Sequence, residues 1–92
     1  MTIQTDIQNI EEPIRAFIAS NLLFSSDGFP YADDASFLRE GIIDSLGVVE
    51  LVAFVQKQYG ITVAQSEVIP DNFDSVAKLA AFVRRKLAAT AG

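Results

Sequence analysis

The residues best suited to chemistry lie in the segment Gly41-Ile42-Ile43-Asp44-Ser45-Leu46, where an acidic stretch ends and a helical pattern begins. Three roles are possible for Ser45. Together with Asp44 it could satisfy the free N–H groups at the start of a helix. It could be a catalytic nucleophile, but the chain has no histidine to act as the base and no lysine nearby in sequence. It could also be an acceptor hydroxyl that another enzyme modifies.

The acceptor role has a physical basis. A hydroxyl at the start of a helix is exposed and is held on a rigid element. The N–H groups and the positive end of the helix dipole favour an attached phosphodiester. Apolar residues one turn further along could shelter an acyl chain or contact a partner enzyme. The residues alone leave both the capping role and the acceptor role open.

Length and composition narrow the class of protein. A chain of 92 residues allows one domain, and we expect it to span residues 1–92 with a core over about residues 10–87. The absence of cysteine and histidine excludes a disulfide framework and removes the commonest metal ligands and the commonest general base, so no metal site is expected. Asp33, Asp34 and Asp44 match neither a hydrolase carboxylate pair nor a calcium loop.

The charge is concentrated in one segment. Between Asp27 and Glu50 there are six acidic side chains and only one basic residue, Arg39, which together account for the whole net charge of -5. Such a surface repels phosphate backbones, so nucleic acid is not an expected partner. It would attract a basic partner surface, and association should then slow as the salt concentration rises. The alternative is a solvated loop whose charge maintains solubility.

Membrane and targeting signals are not apparent in the sequence. No apolar run approaches the roughly 18 to 20 residues that cross a bilayer. The segment Met1 to Glu12 lacks a positive stretch followed by an apolar one, so no signal peptide is predicted. We therefore expect a cytoplasmic protein without membrane contact.

Helical periodicity predicts an all-α fold, a small four-helix bundle of three main helices and one short helix. The first main helix is centred on Pro13 to Asn21, either with Pro13 at its first position or with Asn9 as its cap and Glu12 three residues on. A long loop, Ser25 to Gly41, follows it. In this loop Ser36 to Arg39 could form one helical turn, and four apolar residues are expected to pin the loop to the core. They are Phe29, Tyr31, Phe37 and Leu38.

The second main helix is predicted over Ser45 to Tyr59, ended by Gly60. A short helix at Ser66 to Ile69 should stop at Pro70, and the last helix should begin with Asp74 or Ser75 as its cap. The residues expected to face the core are Ile10, Ile14, Phe17, Ile18, Val48, Leu51, Val52, Val55, Tyr59, Val76, Leu79, Phe82, Val83 and Leu87. Arg84, Arg85 and Lys86 are interpreted as favourable charges at the C-terminal end of the last helix.

The segment Asp44-Ser45-Leu46 resembles the Asp-Ser-Leu signature at the start of the second helix of acyl carrier proteins. The loop before that signature in the family is similar to Asp34-Ala35-Ser36-Phe37. The helical turn after it is similar to Val49-Glu50-Leu51-Val52. The stretch from Phe73 to Val83 is similar to the start of the family's last helix. The resemblance covers roughly residues 10–87.

The resemblance implies a carrier that is not itself an enzyme. Ser45 would be the attachment serine for 4'-phosphopantetheine, added by a phosphopantetheinyl transferase from coenzyme A, and Asp44 would assist at the acceptor site. The arm would carry an acyl or aminoacyl group as a thioester. Leu46, Val49, Glu50 and Ala53 match the partner-facing side of the second helix. Glu50 could instead be a plain solvated residue, and Leu46 and Val49 could be core residues.

Departures from the family pattern favour a specialised, stand-alone carrier. Gly47 occupies a position that is commonly acidic, and Gln56-Lys57-Gln58 replaces a stretch that is often rich in glutamate. The chain is similar to aminoacyl carriers such as those for D-alanine. Its expected partners are an acyl or aminoacyl ligase and an acceptor enzyme of one lipid, polyketide or other biosynthetic pathway, and it is expected to be a monomer. The alternative from another class is a cofactor-free helical interaction module, in which Ser45 only caps a helix.

Overall fold

The computed structural model describes the backbone of residues 9–91 and the side chains of residues 9–89. Over this range it contains five α-helices, and the first, third and fifth form the three long helical regions. They are α1 (Glu11–Phe17), extended by a π-helical turn (Ile18–Leu22), α2 (Phe37–Glu40), α3 (Ser45–Tyr59), α4 (Pro70–Phe73) and α5 (Val76–Ala91). The predicted all-α bundle is confirmed. The parts of the single-domain and signal-peptide predictions that concern residues 1–8 and 92 lie outside the described residues.

The first helix begins differently from either predicted start. It starts at Glu11, and Ile10 precedes it without a side-chain cap. The Asn9 side chain donates from Nδ2 to the Glu12 carboxylate at 3.5 Å and does not cap the helix. Pro13 is therefore the third helical residue, still within the first turn, where its missing N–H costs no helical hydrogen bond.

The three long helices bury their apolar stripes against one another. The residues that form the centre of the core are Ile10, Ile14, Ile18, Leu51, Val55, Val76, Leu79 and Val83, all 0% exposed. Each such side chain contributes about 1.5–3 kcal/mol relative to its exposed state. Phe37, Ile61 and Phe73 close the core from the connecting segments. The predicted stripes are confirmed, although Phe17, Val48, Val52 and Leu87 are only partly buried at its edge.

The connecting segments differ from the prediction at three points. Tyr31 and Leu38 do not pin the long loop, because they are 40% and 77% exposed. The predicted helical turn near Ser36 is present as α2, with the Ser36 hydroxyl accepting from Arg39 N. A 3-10 turn occupies Gln65–Glu67, and Pro70 begins α4 rather than ending a helix. Proline suits this position because its ring presets the φ angle of a first helical residue.

Basic residues of α5 form ion pairs with other segments of the chain. The interpretation of Arg84, Arg85 and Lys86 as charges at the C-terminal end of the helix is therefore wrong. Arg84 makes two hydrogen bonds of 2.8 Å to the carboxylate of Glu11. Nζ of Lys86 lies 3.0 Å from Oε1 of Glu67. The helix continues to Ala91, so these residues lie before its last turn. No helix of the described part of the chain has both the length and the apolar character that spanning a bilayer requires.

Candidate functional site

The N-terminus of α3 gives Asp44 and Ser45 different roles. Asp44 is the N-cap residue, with an extended backbone and with Oδ1 accepting from Gly47 N at 2.9 Å. Ser45 is the first helical residue, and its side chain is exposed. Within residues 9–91 no group forms a hydrogen bond with the Ser45 hydroxyl. The cap is thus supplied by the neighbouring aspartate, and the serine oxygen faces solvent on a rigid element.

Gly47 allows the segment before α3 to pack closely on the helix. A Cβ atom at this position would clash with Cγ2 of Ile43, and Gly47 itself is buried. Ile43 is 7% exposed and belongs to the core. The glycine at a position where carriers commonly have an acidic residue therefore has a packing reason: it lets Ile43 anchor the chain just before Asp44.

An open cleft of about 250 Å³ lies beside Ser45 and is called the Ser45 cleft. Its walls come from α2, the start of α3 and the segment around α4. The lining residues are Phe37, Leu38, Ile43, Asp44, Ser45, Val48, Val68, Ile69, Pro70, Phe73 and Asp74. Most of them are apolar, so the cleft can hold an apolar chain next to the serine oxygen.

Asp74 connects the α2 wall of this cleft to the end of α4 by hydrogen bonds. Its carboxylate accepts from Ser36 Oγ at 2.5 Å and from Leu38 N at 3.0 Å, and its carbonyl accepts from Phe37 N at 2.7 Å. Burial of Asp74 opposes ionisation, but these side-chain and backbone hydrogen bonds outweigh it and keep the pKa of the carboxyl below its usual value of 3.8. Ser75, rather than Asp74, caps α5 by accepting from Lys78 N at 3.0 Å.

The outer face of α3 presents the four residues predicted to contact partners. Leu46 and Val49 are 74% and 64% exposed, so the alternative that they are core residues is wrong. Glu50 and Ala53 are exposed on the same face, because residues three and four positions apart lie on one side of a helix. Large apolar side chains left in solvent beside a carboxylate are typical of a contact surface.

A second cleft, of about 440 Å³, lies on the other side of the α3 N-terminus and is called the Phe24 cleft. Its walls include Leu22, Phe24, Ile43, Leu46 and Glu50. Phe24 carries no signal of a site in the sequence. Its backbone has a φ angle of 53°, which the sequence Phe24-Ser25-Ser26 does not reveal, because aromatic residues rarely adopt this conformation.

Two of the carboxylates considered for a hydrolase have structural partners. Asp33 forms an ion pair of 2.7 Å with Arg15, and Asp44 caps α3. No group of three or more acidic side chains suited to a metal ion occurs among residues 9–91. The Asp33 and Asp44 carboxylates therefore have roles in holding the fold together.

The arrangement fits a covalently attached phosphate ester. The exposed Ser45 oxygen starts a 15-residue helix, whose free N–H groups favour a negative group, and an apolar cleft lies beside it. Comparison with known proteins agrees with this geometry. The family model described as "phosphopantetheine attachment site" matches residues 12–83. A D-alanyl carrier protein of Abiotrophia defectiva is 32% identical over 56 residues, which cover 61% of this chain and 71% of the relative.

Proposed function

Since this chain belongs to the phosphopantetheine-attachment family of carrier proteins, which carry acyl or aminoacyl groups on a covalent 4'-phosphopantetheine, we propose that Ser45 is its attachment residue. The exposed Ser45 hydroxyl at the N-terminus of α3 carries this proposal. Other serines are exposed, such as Ser66, but Ser66 lies in a 3-10 turn of three residues. The thiol of the attached group supplies the thioester chemistry that a cysteine-free chain lacks.

Attachment requires an external enzyme. The Ser45 oxygen forms a bond to the phosphorus atom of the pantetheine phosphate of coenzyme A, and the phosphoanhydride bond breaks to release adenosine 3',5'-bisphosphate. We assign the base that takes the hydroxyl proton to the transferase, because this chain has no histidine. Asp44, whose Oδ1 accepts from Gly47 N, assists by holding the start of α3 beside the acceptor oxygen. The chain contributes the acceptor oxygen and its rigid placement, and it acts as substrate and carrier rather than as an enzyme.

The residues around Ser45 have assignable roles in holding the arm. The first N–H groups of α3 and the positive end of its dipole lie nearest the phosphodiester. The apolar wall of the Ser45 cleft, including Val48, Val68 and Phe73, can cover the part of the arm or cargo next to the protein. Leu46, Val49, Glu50 and Ala53 form the surface that the transferase, the ligase and the acceptor enzyme contact. Cytoplasmic location and a monomeric state stay predictions.

The test is the intact mass of the protein after incubation with coenzyme A, Mg²⁺ and a broad-specificity phosphopantetheinyl transferase. The wild-type chain should gain one phosphopantetheinyl group and Ser45→Ala none. Ser66→Ala is the matched control, because it removes another exposed serine hydroxyl and should leave loading unchanged. A Ser45→Ala protein that still gains the group, or a folded wild-type chain that gains none, would contradict the proposal.

An aminoacyl cargo is favoured by the relative, which is named as a D-alanyl carrier protein. We propose that a ligase loads this chain with a small amino acid, and that an acceptor enzyme then removes it. Mass spectrometry of the natively purified protein tests this. An alanyl group lost on treatment with hydroxylamine would support the proposal, because hydroxylamine cleaves thioesters. A fatty acyl group in its place would contradict it.

A further inference from the structure

Phe24 combines an exposed aromatic ring with a left-handed backbone. Its side chain is 83% exposed, the largest exposed fraction among the large apolar side chains of residues 9–89. Its φ angle of 53° lies in the left-handed region, where no other non-glycine residue of the described chain is found. Hydrogen bonds from Leu23 N to Ile18 O, at 2.9 Å, and from Ser25 N to Ala19 O, at 2.8 Å, hold the backbone on both sides. The bond from Ser25 N to Ala19 O closes the end of the first helix with Phe24 in the left-handed position that glycine usually takes. The aromatic ring that this leaves in solvent is suited to contact with a partner.

The Phe24 cleft joins this ring to the start of α3. Leu46 forms its other exposed apolar wall, with 74% of its side chain in solvent. Asp44 and Leu46, which precede and follow Ser45 in the chain, both line the cleft. A protein seated between Phe24 and Leu46 therefore contacts the residues on both sides of Ser45 in the chain.

The charge of the cleft indicates the chemistry of its partner. Its lining includes the carboxylates of Asp44 and Glu50 and contains no lysine or arginine. The partner surface that complements this lining has an apolar side chain at its centre and basic side chains at its edge.

We propose that the Phe24 cleft is a docking site for the phosphopantetheinyl transferase, which inserts an apolar side chain between Phe24 and Leu46 and places a lysine or arginine beside Glu50. The transferase is the partner that fits best, because it must bring its reacting phosphorus atom to the Ser45 oxygen itself. A ligase also contacts α3, but its chemistry takes place at the thiol at the far end of the arm and does not require its active site to reach the Ser45 oxygen. The inference rests on the proposed function, since it names the enzyme that modifies Ser45.

The experiment measures kcat/KM for transfer from coenzyme A to the apo protein by a purified phosphopantetheinyl transferase. Phe24→Asn and Phe24→Gly remove the ring, and both residues tolerate a positive φ angle. Because buried aromatic residues dominate protein interfaces, each variant should lower kcat/KM by about tenfold or more. The matched control is Tyr31→Asn, which removes another exposed aromatic ring from the loop that follows Phe24 and should change kcat/KM by less than about twofold.

Two further measurements distinguish an effect on docking from an effect on folding. The thermal midpoint of Phe24→Gly should be equal to or higher than that of the wild type, because glycine removes the backbone strain. Glu50→Gln should weaken the decrease of kcat/KM with rising salt, because one carboxylate fewer attracts the basic edge. Equal kcat/KM values for wild type, Phe24→Asn and Phe24→Gly would overturn the docking site while leaving Ser45 as the acceptor. A wild-type chain that accepts no group would overturn the proposed function and this inference together.

Discussion

The Ser36 hydroxyl donates a hydrogen bond of 2.5 Å to Oδ2 of Asp74, and this bond joins two segments that lie 38 residues apart in the chain. The same hydroxyl accepts from Arg39 N and so caps α2. Asp74 lies between α4 and α5. One side-chain pair thereby fixes α2 to the end of α4 and sets the width of the Ser45 cleft, which both helices line.

Replacing Asp74 should weaken the fold more than its surface position suggests. Asp74→Ala leaves the Ser36 hydroxyl and Leu38 N without their acceptor, and we expect a loss of about 1–3 kcal/mol in the free energy of unfolding. Urea denaturation measures this loss. Asp71→Ala, which removes an exposed carboxylate from α4, should change stability by less than about 0.5 kcal/mol. Equal stabilities of the two variants would show that the Ser36–Asp74 contact contributes nothing.

Stability should fall on acidification because the fold lowers the pKa of carboxyls that include Glu11 and Asp74. The hydrogen bond from Arg84 keeps the pKa of Glu11 below 4.5, and the contacts of Ser36 and Leu38 outweigh burial and keep the pKa of Asp74 below 3.8. Both carboxylates then bind protons less readily in the folded state than in the unfolded state. Their stabilisation is complete above these usual values and is lost as the pH falls through the lower folded pKa values.

The measurement for this pH dependence is the urea midpoint between pH 7 and pH 3. The midpoint should decrease below about pH 4.5, where carboxyls of ordinary pKa begin to take up protons. Glu11→Gln and Asp74→Asn should each show a shallower decrease than the wild type, because each lacks one titrating group. A midpoint that stays constant or rises over this range would contradict the assignment.

Two leucines of α3 should separate folding from partner contact. Leu51 is 0% exposed, and Leu51→Ala should cost about 2–5 kcal/mol of unfolding free energy because it leaves a cavity. Leu46 is 74% exposed, and Leu46→Ala should change stability by less than about 0.5 kcal/mol. The same Leu46 variant should lower kcat/KM for transferase loading. Loading equal to that of the wild type would remove Leu46 from the contact surface.

Gly47→Ala should destabilise the protein, although alanine in a helix interior normally stabilises by about 1 kcal/mol relative to glycine. The reason is the clash between the new Cβ atom and Cγ2 of Ile43, and overpacking of this kind costs about 1–3 kcal/mol. A double-mutant cycle with Ile43→Ala tests the cause. Gly47→Ala should be tolerated, or even stabilising, once Ile43 is truncated. The same cost in both backgrounds would exclude the Ile43 contact as the explanation.

Local signals in the sequence predicted α3 to the residue. Asp44 and Gly60 provide its cap and its left-handed end, and both effects act within one helical turn. The same N-terminal signal also predicted that Ser45 lies exposed at the start of the helix. Helical periodicity likewise identified the buried stripe of α5, since it depends only on spacing within one helix.

The errors involve contacts between distant segments. Arg84 and Lys86 of α5 pair with Glu11 and Glu67. The sequence pattern within α5 does not predict partners so distant in the chain. Phe37 and Leu38 are both expected in the core because both are apolar. Capping by Ser36 and the bonds to Asp74 orient α2 so that Phe37 is buried and Leu38 is exposed. Phe24 was overlooked because its conformation depends on the π-helical turn before it, and local composition does not predict such a turn.

The separation of Asp44 and Ser45 has a consequence for the energetics of modification. Because the aspartate alone closes the start of α3, a group placed on the serine oxygen breaks no hydrogen bond of the fold. Esterification at this position costs the fold no existing hydrogen bond, and the added negative charge is favourable at the N-terminus of the helix. The unmodified and modified proteins can share one resting architecture, and each partner enzyme then distinguishes them by the attached arm rather than by a rearranged bundle.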